Sequence, residues 1–368
     1  MSWHGISTVA RLELRQRARA SKWVVVLAIW FAVIALVSVL SYLALNDPDA
    51  RSGAAMYDVV IFFVLGLGML VVPSLTATSI NGDREHGVLA TLQTTLLTSA
   101  DLVLGKLLAA WAISGAFLVT ALPFLAWAWV EGGVSVWRIL LAVVVLMLVL
   151  AVVCALGLMF STLTARPVAS AVLTYLVLGA LVFGTVIGFG LSAFLVNDRE
   201  TVRVHGIPND FFEQNQPTFD ANGNPQPGSE RVPTRADCVD YEEKRDVTHT
   251  ERIWWMLPLN PFVVVADAAP SKPPANVDSG LGFTPMRWIS EGSRSARAGA
   301  SDAVRQECWV DGPADQQPVD PNAAAAKDAA VWPFGLVFLL LVGGGATAVA
   351  DRRLRTPIRR LPNGTRIA

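Results

Sequence analysis

Charge is scarce in this chain of 368 residues: Asp, Glu, Lys and Arg together make up 16%, against about 25% in an ordinary soluble domain. The 29 basic and 30 acidic residues nearly cancel, leaving a formal net charge of -1, so there is no global electrostatic case for a nucleic-acid partner or an acidic substrate. Histidine is rarer still, with only His4, His86, His205 and His249, and no H-E-x-x-H pair exists to bind a catalytic zinc. No serine stands in a G-x-S-x-G turn, which removes the usual hydrolase signature. A nucleotide-cradling G-x-x-x-x-G-K-[ST] loop is also missing: Gly105-Lys106 is followed by Leu107, and Ala100 holds the first glycine position. The chain cannot bind ATP by that route. Nor does any acidic or basic residue lie deep in a long apolar run, where such groups mark proton relays and ion pathways. That gap argues against a proton-coupled carrier and for an energy source outside the chain.

What fills the space is hydrophobic: 53% of residues, with a mean hydropathy of +0.47, too apolar for a soluble domain of this length. A helix needs about 20 mainly apolar residues to cross the hydrocarbon core. Six runs qualify: Trp23 to Leu45, Val59 to Ile80, Leu104 to Val130, Trp137 to Phe160, Val168 to Val196 and Val331 to Ala350. The first is too long for a signal-peptide core and reads as a retained anchor. Six spans put both termini on one side. Arg11, Arg15, Arg17, Arg19 and Lys22 precede the first, and Arg352, Arg353, Arg355, Arg359, Arg360 and Arg366 follow the last. The positive-inside rule makes that side cytoplasmic. Asp47, Asp49, Asp58 and Glu131 fall in short connections expected outside. The expectation is an all-α, multi-pass plasma-membrane protein of six transmembrane helices.

Its organisation follows from composition. Residues 1–22 place Arg11, Arg15, Arg19 and Lys22 on one helical stripe, with Glu13 and Arg17 at i,i+4, which suits an interfacial helix on anionic headgroups or a plain positive flank of span one. Residues 23–196 hold spans one to five, with a cytoplasmic segment at 81–103; 331–350 is span six and 351–368 a basic tail. Between spans five and six, residues 197–330 are rich in Pro, Gly, Asn and Asp and read as an extracytoplasmic domain or ordered loop. Cys238 and Cys308 fall in it, while the third cysteine, Cys154, lies in span four. A Cys238–Cys308 disulfide is the economical reading in an oxidising compartment, worth roughly 4 kcal/mol in the chain-entropy model; two thiols that never meet are the alternative. The apolar piece Ile253 to Ala266, broken by Pro258 and Pro261, fits a re-entrant segment with Trp254 and Trp255 at headgroup depth, or a buried core of the external domain. Gly184 and Gly188 form a GxxxG, which suits either a close helix approach or a chance match in a glycine-rich span.

The charged interval DREHGVLATLQTTLLTSADLVLGK, Asp83 to Lys106, separates spans two and three. Val88, Leu89, Leu92 and Leu96 share a helical face, Gly87 breaks that helix from span two, and Thr98 to Asp101 is a capping box that starts span three. This stretch resembles the permease subunits of the type 2 ATP-binding-cassette (ABC) exporter family, whose pattern there is E-x-G-T-L-x-x-L-L-x-T-P-L-S-x-x-x-I-x-x-G-K. Glu85, Gly87, Leu89, Leu92, Thr95, Leu97, Leu102, Gly105 and Lys106 fall in register. Val88, Gln93, Leu96 and Thr98 depart from it, standing where the pattern has Thr, Leu, Pro and Ser. Six spans, an N-terminal interfacial helix and a large loop before span six are similar to that family too.

The resemblance implies that Asp83, Arg84, Glu85, Gly87, Leu89, Leu92, Leu96, Thr98 and Asp101 form the coupling surface for a separate ABC ATPase subunit. ATP and Mg would sit on that partner, with no cofactor in this chain. It also implies a second permease chain, identical or not, with a substrate path at the interface. A membrane-anchored assembly or sensory protein acting through the external domain is the rival class, and a sodium-extruding permease is a rival within the same fold. The scarcity of fixed intramembrane charge favours an apolar or amphipathic export substrate.

Overall fold

The computed structural model describes residues 2–18, 21–44, 53–85, 87, 97–216, 231, 233–271, 283–300, 304–308 and 329–355. Six of its helical stretches are long and apolar enough to cross a membrane. In order, α1 is Trp3–Ala18, α2 Ser21–Ala44, α3 Gly53–Thr76, α4 Ser79–Glu85, α5 Ser99–Val130 and α6 Val136–Leu163. Span five starts as α7, Pro167–Gly179, passes through a π-helical turn at Ala180–Gly184 and continues as α8, Thr185–Ala193. Many of these helices are rich in Val, a weak helix former in water. In hydrocarbon a backbone N–H has no partner but its own helix, and that requirement overrides propensity.

The chain divides into two compact units. The first, Met1–Ile187 with Met256–Ser293 and Val331–Ala368, is helical. Its centre is α3, α5 and α6, each with 56% of its most apolar window buried, against 22% in span one and 11% in span five. Tyr57, Ile61 and Leu65 of α3 meet Leu125 of α5 and Leu146 of α6 in one core. Span two starts at Gly53, six residues earlier than the apolar run suggests, so Asp58 is no solvated loop residue: it sits inside α3 and is fully buried. Two turn residues, Ala77 and Thr78, separate α3 from α4, and Pro73 lies just upstream.

The stretch expected to be re-entrant folds into two short pieces within or at the edge of this unit. A 3-10 helix, Trp254–Leu259, is followed by α10, Pro261–Ala268, whose residues are nearly all buried. α11, Pro285–Ala298, comes next, and α12, Trp332–Arg355, is the sixth span. Residues 256–293 therefore group with the helical unit although they lie between spans five and six.

The second unit, Gly188–Trp255 with Arg294–Ala330, contains a three-stranded sheet. β1, Asn197–Gly206, pairs antiparallel with β2, Val239–Thr248, from Asn197 opposite Thr248 to Gly206 opposite Val239. The two-residue strand β3, Arg305–Gln306, runs parallel to β1 at Val204 and His205. The short helix α9, Asn209–Gln214, follows β1. Cys238 and Cys308 are joined by a disulfide with Cα atoms 5.8 Å apart, and Arg245 forks onto both carboxylate oxygens of Glu307 at 2.7 and 3.0 Å. The all-α class describes the membrane part; the sheet is an addition. Its strands read N-D-R-E-T-V-R-V-H-G and V-D-Y-E-E-K-R-D-V-T; Val202, Val204, Tyr241 and Val247 share one face with Asp198, Glu200, Glu243 and Arg245, and those charges interrupt the apolar alternation that announces a half-buried strand.

Candidate functional site

The charged interval between spans two and three is anchored at both ends. Thr98 Oγ1 accepts from Asp101 N–H at 3.2 Å, and Asp101 Oδ2 accepts from Thr98 N–H at 3.1 Å, a reciprocal capping box that opens α5. The other carboxylate oxygen of Asp101 accepts from Ser2 N–H at 2.9 Å, so one buried side chain caps α5 and fastens the start of α1. One turn later Gly105 lets α1 lie against α5: a Cβ there would come 2.6 Å from Val9 Cβ and 2.9 Å from the Ile6 carbonyl oxygen.

Lys106 follows, with its side chain 2% exposed. Its ammonium pairs with Glu13 of α1 and, at 2.7 Å, with Asp83 of α4. Glu13 also meets Arg17 at 3.8 Å, and Arg17 donates to the Leu75 carbonyl at 3.0 Å. The same end of the bundle is tied to α6 and α12. Ser161 Oγ accepts from Ile80 and Asn81 N–H groups at 2.9 and 3.1 Å, and Ser99 donates to Asp351 at 2.7 Å. α4 is thereby bonded to α5 and α6, and linked to α1 through Lys106.

Asp83 is engaged by Lys106; Arg84 is partly buried on the last turn of α4; Glu85 is exposed at its end. Gly87 adopts a φ of 71°, left-handed backbone that suits glycine, and its N–H bonds the Arg84 carbonyl at 3.3 Å. Leu89, Leu92 and Leu96, and with them the expected amphipathic helix, lie outside the described residues. Gly184 is exposed in the π turn, with nothing nearer to a built Cβ than Ala180 Cβ at 3.8 Å, so no other described helix packs on it; Gly188 sits in α8. Sequence reasoning paired Glu13 with Arg17 and missed its partner Lys106. The glycine and lysine of the motif were the signal that a helix crosses there.

At the other end of the unit, α10 and α11 are clamped to the spans by buried polar side chains. Asp58 of α3 accepts from the N–H groups of Met286 and Arg287 at the start of α11, at 2.8 and 3.0 Å, and from Ser271 Oγ at 3.3 Å. Asp267 of α10 accepts from Val331 and Trp332 N–H groups at the start of α12, at 2.6 and 2.8 Å, and from Ser290 Oγ at 3.1 Å. The positive end of a helix dipole and its orphan N–H groups supply what each carboxylate needs. Asn260 caps α10 by accepting from Phe262 N–H at 2.9 Å and reaches span five through its amide, which donates to the Val182 carbonyl at 2.8 Å and to Thr185 Oγ1 at 3.2 Å.

Asn260 also lines a cavity of about 660 Å³ between α3, span five, α10 and α11. Its walls are almost wholly apolar, with Phe62, Leu70, Phe183, Ile187 and Phe262 among them. Tyr175 is the polar exception on span five, and its hydroxyl donates to the Leu70 carbonyl at 2.6 Å. Polar residues elsewhere in the spans bond their own helices: Ser114 to Ala110, Thr120 to Phe117, Thr174 to Ser170 and Thr185 to Leu181. In the second unit His249 lies between Glu251 at 2.7 Å and Glu200 at 3.3 Å, with Asp198 at 3.9 Å. Among the described residues no group of three or more His, Cys, Asp or Glu is arranged to hold a metal ion.

The family model described as ABC-2 family transporter protein matches residues 7–218, a stretch that takes in α1, the first five spans and β1. No curated protein matches the chain.

Proposed function

The chain belongs to the ABC-2 family of transporter proteins and is a multi-pass membrane component of an ABC transporter; from that premise we propose that it is an export permease driven by a separate ATPase. ATP and Mg bind the partner, since the chain carries no nucleotide-cradling loop of its own. The partner docks on the segment 81–103 on the cytoplasmic side of the plasma membrane, where both termini also lie, and the 197–330 region contains the extracytoplasmic part. A second permease chain completes the transporter, with the sparsely buried face of span five turned toward it.

One observation carries the coupling reading. Glu85 is exposed at the end of a short helix whose Asp83 is ion-paired to Lys106 and whose first turn is bonded to Ser161. Force applied to α4 passes into α5 and α6 through these bonds, and reaches α1 through the Lys106–Glu13 pair. Arg84 and Glu85 orient docking and do no chemistry. The apolar walls of the cavity favour an apolar or amphipathic substrate, because a bare ion would find little there to replace its hydration.

Co-purification tests the reading. Expressed with its partner ABC ATPase subunit, the chain should retain that subunit through detergent extraction, and Glu85→Ala combined with Leu92→Ala should release it. Unaltered assembly after both changes removes the coupling assignment.

A further inference from the structure

Asn260 is 3% exposed, and both halves of its amide are engaged in different elements. The oxygen serves α10, as the cap over Phe262 N–H. The nitrogen serves span five, donating to Val182 and Thr185 in and beside the π turn. A π turn is a wide, uncommon turn of helix that concentrates at functional positions, and a carbonyl left short of a donor in hydrocarbon costs several kcal/mol. Thr185 Oγ1 meanwhile donates to the Leu181 carbonyl at 2.8 Å, so two side chains supply hydrogen bonds to consecutive carbonyls of this turn. Val182, Phe183, Val186 and Ile187, on this turn and the next, line the cavity.

We propose that Asn260 is a positioning residue: its two amide N–H bonds hold the π turn of span five open and so fix the wall of the cavity. Without these donors the Val182 carbonyl loses a side-chain hydrogen bond and the turn loses its tie to α10, so the backbone of this turn opens more readily. The bearing of this tie on transport rests on reading the cavity as the substrate-facing wall; the tie itself does not.

The test separates donor from acceptor. Asn260→Asp keeps an oxygen for Phe262 N–H, and with it the cap of α10, but the ionised form has no N–H or O–H to give. Hydrogen exchange is followed on the full chain in phosphatidylcholine nanodiscs, as protection relative to unstructured rates at each pH. In Asn260→Asp at about pH 9 the amides of residues 181–187 should lose protection by about tenfold or more, the equivalent of one hydrogen bond, while those of 262–266 hold theirs. At about pH 5 the protonated carboxyl regains an O–H donor and protection should return; Asn260→Ala, with nothing to protonate, should stay deprotected at both. Unchanged protection at 181–187 in both variants overturns the proposal, as does a loss in Asn260→Asp that acidification fails to reverse, or one that spreads equally through 262–266 and so reports only a lost cap. No substrate or nucleotide enters the measurement, so failure of the export reading would leave its outcome intact.

Discussion

Two ends of the helical unit bury carboxylates, and they neutralise them differently. Around the start of α5, Glu13 and Asp83 share the ammonium of Lys106. At the far end of α3, Asp58 and Asp267 are held by pairs of backbone N–H groups at helix starts and by a serine hydroxyl each. A lysine between two carboxylates can shift weight from one to the other without being left bare. An aspartate that accepts from two consecutive amides cannot move without breaking both bonds. The first arrangement suits a surface that receives force from a partner, and the second suits a fixed frame around a cavity.

Removing the cation should show the difference most strongly. Lys106→Ala leaves Glu13 and Asp83 as neighbouring carboxylates with no shared counterion, and should cost about 3 kcal/mol of stability, read from thermal unfolding in detergent; Lys106→Arg should recover most of it. At the amide-held end, Asp58→Ala orphans the N–H groups of Met286 and Arg287 and the Ser271 hydroxyl, an expected loss of about 2–3 kcal/mol, with Asp58→Asn milder because its oxygen still accepts. If Asp58→Asn proves as damaging as Asp58→Ala, charge matters at that end too and the contrast collapses. Gly105→Ala forces Val9 and Ile6 away from α5 and should cost about 1–3 kcal/mol, with faster hydrogen exchange confined to α1. Thr98→Ala removes one half of the capping box for about 1 kcal/mol.

The smallest effect extends the contrast to the second unit. Glu251 beside His249 holds the imidazole pKa above its usual 6.5, against the opposing pull of burial. Asp198 and Glu200 of β1 and Arg252 of its own turn complete its charged surroundings. A raised folded pKa means that the stabilisation is complete below 6.5 and fades as pH climbs through the raised value. The unfolding midpoint of this unit should therefore drop as pH rises above about 6.5 in the native chain and stay level over the same rise in His249→Gln.

Much of the membrane part was legible because apolar length and turn chemistry are local. The six runs, the Thr98 to Asp101 box and the special place of Gly87 each lie within a few residues of sequence. What escaped notice was long-range or uniform. Lys106 finds Glu13 across 93 positions, and Asp58 meets Arg287 across 229; no local pattern announces either. Asp58 reads as loop because it stands just before the apolar run that begins at Val59, and the N–H groups at the start of α11 with the Ser271 hydroxyl make burial of its carboxylate tolerable. The β1–β2 ribbon was hidden because charged residues such as Glu243 and Arg245 occupy its partly buried face beside Val204 and Val247, which breaks the apolar period of two. Asn260 caps α10 within its own stretch, but its nitrogen serves another helix 78 positions away, which has no signature in the sequence.

The bond between Cys238 and Cys308 spans seventy positions of chain, and α10 and α11 lie inside that interval. A protease that nicks the backbone anywhere between the two cysteines leaves the sixth span covalently attached to the other five. Such a cut protein runs as one band without reductant and as two with it, so intact mass on a non-reducing gel is no guarantee of an intact chain.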